Sequence, residues 1–189
     1  MSNSKPHIAI VNCGSSKVPD IARMLAELGA SSTVIRPADV ATLDTQPLAA
    51  IILSGNPALF RDTGTELISD FQRLRDVDLP VLGICFGHQV IGLLHGAEVK
   101  MGKEDRELRP LELTGEHPLF AGLSPQPAFK EDHTEEVSLP AGFVHLARSP
   151  YCENEAMAHP TKAIYSVQCH PETSGDNGRR FFANFLALL

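Results

Sequence analysis

Apolar positions in the first half of the chain come in short runs separated by amphipathic stretches. His7-Ile8-Ala9-Ile10-Val11 reads as a buried strand. Ile21, Met24, Leu25 and Leu28 then recur at helical spacing up to Gly29, a residue suited to ending a helix. Thr33-Val34-Ile35-Arg36 predicts a second strand. Ala49-Ala50-Ile51-Ile52-Leu53 predicts a third, running straight into the turn Ser54-Gly55-Asn56-Pro57. Leu67, Ile68, Phe71 and Leu74 give one face of a helix that ends before Pro80. Val81-Leu82-Gly83-Ile84 is a fourth strand, and residues 89–95 form a helix closed by Gly96. Strands and helices alternating at these intervals imply an α/β fold with a mostly parallel central sheet and helices on both faces. A wholly apolar strand such as 49–53 suits a sheet covered on both sides.

After Gly96 the pattern changes. Segments of mixed polarity broken by Pro110, Pro118, Pro125, Pro127 and Pro140 predict a smaller antiparallel section. Residues 163–169 are again strand-like. From Gly178 onward, Phe181, Phe182, Phe185, Leu186 and Leu189 mark an amphipathic closing helix. No repeat or linker interrupts the 189 residues, so a single domain over 1–189 is expected.

Composition narrows the function. Hydrophobic residues make up 43% and charged residues 21%, enough apolar side chain for a core. Lys and Arg number 16 against 23 Asp and Glu, a formal charge of −7. An acidic surface without a basic cluster repels phosphate backbones, which argues against nucleic acid as a partner. No apolar run is long enough for a bilayer, and residues 1–6 lack the apolar stretch of a signal peptide. Cys13, Cys85, Cys152 and Cys169 show no CxxC spacing, so a cytoplasmic protein with reduced thiols is expected.

The chemistry concentrates in two motifs. In Leu82-Gly83-Ile84-Cys85-Phe86-Gly87-His88-Gln89, a cysteine stands between a buried strand and a helix, with glycines two residues to either side. That is the pattern of a nucleophile elbow, in which a sharp turn lifts the reactive atom above the sheet and glycine removes the collisions. The helix N-terminus favours thiolate, and the Phe86 N–H is placed to donate to an oxyanion. A tight strand-to-helix turn with an inert cysteine would use the same glycines, so the motif needs a base. Tyr165-Ser166-Val167-Gln168-Cys169-His170-Pro171-Glu172 offers one. If strand geometry persists through Pro171, the period of two puts His170 and Glu172 on one side, with Glu172 orienting the imidazole. Cys169 then faces the other way. No metal site is expected, since Cys85, His88 and His95 lack the spacing of a known zinc arrangement.

With these two motifs in this order, the chain resembles the class I (triad) glutamine amidotransferases over essentially its whole length, which implies a flavodoxin-like fold. By the resemblance, Cys85 is the nucleophile that forms a thioester with the glutamine side chain, His170 the general base and acid, and Glu172 its orienter. Gln89 matches a position that holds L-glutamine, and Ser54-Gly55-Asn56-Pro57 matches the oxyanion loop, usually Gly-Gly-Pro. There Gly55 is kept and Asn56 replaces the second glycine. Asparagine tolerates positive φ better than most residues, which would keep its N–H aimed at the site. Residues 130–143 are similar to a Ser-His-x-Asp-x-Val…Leu-Pro-x-Gly-Phe stretch found in the branch that serves two-subunit GMP synthases. Asp132 stands for the usual Ser or Asn and Glu135 for the usual Asp. This branch implies a separate ATP-pyrophosphatase subunit that uses ATP and Mg, no cofactor in this chain, and His133 and Glu135 near the substrate amine or the synthase. Residues 130–136 also read as a solvated acidic turn, and 104–109 as a solvated loop or a docking patch. The alternatives are a stand-alone hydrolase of this fold, such as a γ-glutamyl peptidase, and a non-catalytic regulatory relative.

Overall fold

The computed structural model describes residues 5–63 and 66–189. Its strands are β1 (His7–Val11), β2 (Ser31–Ile35), β3 (Ala50–Leu53), β4 (Val81–Ile84), β5 (Val99–Asp105), β6 (Leu108–Pro110), β7 (Glu112–Leu113), β8 (Ala128–Lys130), β9 (His133–Val137), β10 (Val144–Arg148), β11 (Ala156–Ala158) and β12 (Ile164–Val167). The α-helices are α1 (Val18–Glu27), α2 (Phe60–Thr63), α3 (Phe86–Leu94) and α4 (Gly175–Leu186). Eight strands form one sheet in the order β2-β1-β3-β4-β12-β11-β10-β7. The pairs from β2 through to β12 are parallel, and those from β12 to β7 antiparallel. Two antiparallel ribbons, β5 with β9 and β6 with β8, stand apart from it.

Period-two alternation sorts the apolar side chains onto two cores. Ile8, Ile10, Ala50, Ile52, Leu82 and Ile84 face α1 and α4. Ala9, Val11, Ile51, Leu53 and Val81 face α3 and the 3₁₀ turns. The sheet is therefore covered on both sides, as its apolar strands require. On the α4 side, Phe129 and Phe181 meet edge to face at 6.1 Å, and Phe120 adds to the cluster.

Three elements differ from the sequence reading. The apolar face containing Ile68, Phe71 and Leu74 winds as 3₁₀ helix over Glu66–Arg75, although Ile68, Phe71 and Leu74 are still buried. The helix expected at 89–95 begins at Phe86, because the turn at Cys85 leads directly into it. The strand expected over 163–169 stops at Val167. Pro171 has no N–H to extend a ladder, and it opens a 3₁₀ turn, Pro171–Thr173, instead.

Candidate active site

Cys85 sits where β4 becomes α3, with φ 53° and ψ −105°, and among the described residues it is the one non-glycine with positive φ. Both flanks explain why glycine is needed. A β-carbon on Gly83 would come within 2.5 Å of the Gly87 oxygen, and one on Gly87 within 2.6 Å of the Leu53 oxygen. The turn is fixed by the Cys85 N–H donating to Val167 O at 2.9 Å and the Gln89 N–H donating to Cys85 O at 3.1 Å. The sulfur stands over the end of the sheet, where its thiol reaches Asp132 O at 3.8 Å and Gln168 Nε2 donates to it at 3.7 Å.

β12 is the parallel neighbour of β4, so the chain leaving it passes beside the sulfur. His170 is reached two residues beyond Gln168. Its N–H donates to Lys130 O at 2.7 Å, and its own carbonyl accepts from Ser174 Oγ at 2.6 Å. His170 Nδ1 lies 2.6 Å from Glu172 Oε1, and both side chains are buried. The 3₁₀ turn at Pro171, and not strand periodicity, brings this pair together. Burial alone would lower the imidazole pKa; hydrogen bonds to the Cys85 side chain and to Glu172 outweigh it and raise it to about 10. An imidazole in this setting keeps its proton at neutral pH and is oriented to deliver it across the cavity. Cys169 points into the core with no exposure, and burial pushes its thiol well up.

Cys85, His170, Gln89, His133 and Asn56 line one cavity of about 230 Å³. Gly55 closes it from the side, since a β-carbon there would lie 3.1 Å from His170 Cε1 and 3.6 Å from Cys85 Cβ. Glu172 stands behind His170. The Phe86 ring lies underneath, stacked on Phe60 at 4.5 Å, while its backbone belongs to the first turn of α3, whose N–H groups have no partner within the helix. Asn56 does not use the positive φ expected of it. Its Oδ1 instead accepts from the Ala58 N–H at 2.8 Å, an Asx turn that shapes the loop through the side chain.

The stretch 130–136 is not a solvated turn. His133, Glu135 and Val137 are buried at every second position of β9. The Glu135 carboxylate accepts from the Phe60 and Arg61 N–H groups at 2.7 and 3.0 Å and so caps α2. Gln89 Nε2 donates to Glu135 O at 2.9 Å, joining α3 to β9 under the cavity floor. The loop at 104–109 is exposed as expected, yet Arg106 reaches the cavity. Asp132 is ion-paired there to Arg106 from one side and to Lys17 at 2.6 Å from the other. Sequence reasoning missed this bridge because its three residues come from three separate loops. Burial opposes ionisation of Asp132, but Lys17 and Arg106 hold its carboxyl below the usual range. Among the described residues, one group has metal-ligand proximity, Glu131, His133 and Glu155, and it is fully buried. Burial raises the pKa of both glutamates, Glu155 the more strongly.

Known proteins carry the same architecture. A family model described as glutamine amidotransferase class-I matches residues 9–189. The chain is 45% identical over 141 residues to the glutamine-hydrolyzing GMP synthase subunit of Methanosarcina barkeri, covering 73% of this chain and 72% of that one. It is 34% identical over 185 residues to the subunit of the same name in Thermococcus kodakarensis, covering 96% and 97%. The crystal structure of a Thermoplasma acidophilum protein, assigned to this same GMP synthase subunit, superposes with a TM-score of 0.89 at 28% identity, covering 98% of this chain and 94% of that one. An extended match of this kind, laid over a buried cysteine and histidine that share one cavity, settles the lineage: the chain belongs to the class I glutamine amidotransferase family.

Proposed function

We propose that this protein is the glutamine-hydrolysing subunit of a two-subunit GMP synthase, working in the cytoplasm beside a separate ATP-pyrophosphatase subunit that aminates XMP. One observation carries the reading: the Cys85 sulfur and the His170–Glu172 pair, held at 2.6 Å, open onto the same cavity. The names of the 45% and 34% identical relatives point to the same partner.

Cys85 attacks as thiolate, its proton resting on His170. The new Sγ–Cδ bond makes a tetrahedral intermediate, whose oxyanion is met by the Phe86 N–H and by the loop of Gly55 and Asn56. His170 returns the proton to the amide nitrogen, the C–N bond breaks, and ammonia leaves. Water, deprotonated by His170, then cleaves the thioester to release glutamate and regenerate the thiolate. Glu172 keeps the imidazole in one tautomer throughout. Gln89 and His133 line the part of the cavity that takes the rest of the substrate. Lys17, Arg106 and Asp132 offer opposite charges to its α-carboxylate and α-ammonium.

Ammonia release from glutamine, measured with and without XMP and an ATP-pyrophosphatase partner, tests the assignment. A many-fold rise in their presence is expected. In the same assay Cys85→Ala is expected to abolish glutamine-dependent GMP formation while synthesis from free ammonia continues. Full glutaminase activity without any partner would instead indicate a stand-alone hydrolase. Hydrolysis by the alanine variant would show the nucleophile to be misassigned.

A further inference from the structure

Behind the cavity lies a group of ionisable side chains that the chemistry above does not use. Glu131 and Glu155 have no exposure and His133 has 6%. Both carboxylate oxygens of each glutamate and both ring nitrogens of His133 lack a hydrogen-bond partner among the described residues. One donor atom from each of the three lies within 4.8 Å of the other two. Leaving a buried polar atom unpaired costs about 1–3 kcal/mol, and more for a charge, so native interiors rarely do it. Across the ribbon from His133 stands Asp105, but its carboxylate is bonded to Arg109 at 3.0 and 3.1 Å, which engages that cation.

A shared proton, a trapped water or a cation would each satisfy these atoms, and the spacing favours the cation. His133 Nε2 and Glu131 Oε2 are 3.4 Å apart without hydrogen-bond geometry. A charged N–H···O pair in a dry site closes to about 2.7–2.9 Å. Two ligands at about 2.0–2.1 Å from one tetrahedral ion stand roughly 3.4 Å from each other. Charge agrees as well: two carboxylates and a neutral imidazole around a doubly charged ion sum to zero, which removes the penalty of burying unpaired anions.

We propose that Glu131, His133 and Glu155 form a binding site for a divalent transition-metal ion, zinc being the ion that suits this donor set. Calcium and magnesium prefer a shell of six or more oxygens, whereas imidazole with carboxylate suits zinc. The ion ties β9 to the segment entering β11 and holds His133 in the cavity wall. Its role is structural.

The experiment measures metal content and zinc binding, not activity, so it stands or falls separately from the amidotransferase reading. Cys85→Ala protein, which lacks the cavity thiol as a competing ligand, is purified without chelator, analysed for metals by mass spectrometry, stripped, and titrated calorimetrically with zinc chloride. Glu131→Gln and Glu155→Gln are made in the same background. We expect about one zinc per chain and a higher Tm on adding it back. Each glutamine variant should lose at least about tenfold in zinc affinity. Absence of saturable binding tighter than about 1 μM, or undiminished binding by both variants, overturns the site. So do variants that melt above their parent with and without zinc, the behaviour of carboxyls that merely share protons. The parent's metal content and titration decide the matter even where a variant does not fold.

Discussion

Cys85 holds a backbone conformation that costs a non-glycine residue on the order of 1–3 kcal/mol, and the hydrogen bonds from its own N–H and to its own carbonyl hold it there. The sulfur in turn depends on an imidazole whose tautomer is set by Glu172. Replacing that carboxylate with an amide, Glu172→Gln, is expected to lower kcat for glutamine by about 10²–10⁴-fold with little change in KM, because the reacting proton is disturbed and the cavity wall is not. Steady-state kinetics on the glutaminase half-reaction reads this directly; a change confined to KM would remove the orienting role. At this scale the motifs were largely legible. The glycines around Cys85 report steric limits that local sequence carries whole. Asn56 was not legible in the same way, because a side chain that accepts from a nearby N–H and one that adopts positive φ leave the same letter.

Individual elements position these residues, and one close approach shows how tightly. Helix α4 packs its Gly178 onto the turn that carries His170 and Glu172, and a β-carbon at Gly178 would overlap the Pro171 carbonyl. Gly178→Ala is therefore expected to cost about 1–3 kcal/mol, lowering Tm by roughly 2–4 °C for each kcal/mol, and to reduce kcat as the turn shifts. Thermal melts and kinetics on the same sample check both, and an unchanged pair would show that the helix gives way freely. Elements with strong apolar alternation, β1, β3, β4 and α4, were readable from the chain. Strand β9 was not: its buried positions are His133 and Glu135, satisfied by tertiary partners, and a rule that sends charge to solvent inverts them. The 3₁₀ winding of Glu66–Arg75 escaped for a related reason, since buried positions three and four apart fit either helix.

Across the whole molecule, two buried histidines set opposite pH limits. His88 lies under α3, its Nδ1 2.9 Å from Ser166 Oγ, and burial lowers its pKa from 6.5 to about 3. Between those values the unfolded chain binds a proton that the folded one refuses, so stability falls as pH drops from 6.5 towards 3. His170 is the reverse. Raised from 6.5 to about 10, it keeps a proton that the unfolded chain gives up, so its contribution is complete below 6.5 and disappears as pH rises through about 10. Urea melts across this range are expected to give a stability maximum near neutrality. His88→Gln should flatten the acid limb, and His170→Gln the alkaline one; limbs that keep their slopes would assign the titration elsewhere. The class and layering of the molecule could be read from period alone, but not the order of its strands, because adjacency between β4 and β12 is made by a segment that wanders through both ribbons before returning.

That detour has an evolutionary corollary. Sulfur and imidazole are carried on neighbouring rungs of the parallel sheet, whereas everything between residues 95 and 163 is an excursion that leaves and rejoins it. Arg106 and Asp132, with the exposed Met101 and Leu108, all lie on the excursion. Lengthening, recharging or reshaping it would alter what the cavity mouth meets without moving the reacting atoms, so this lineage can be retuned to new associates while its chemistry stands still.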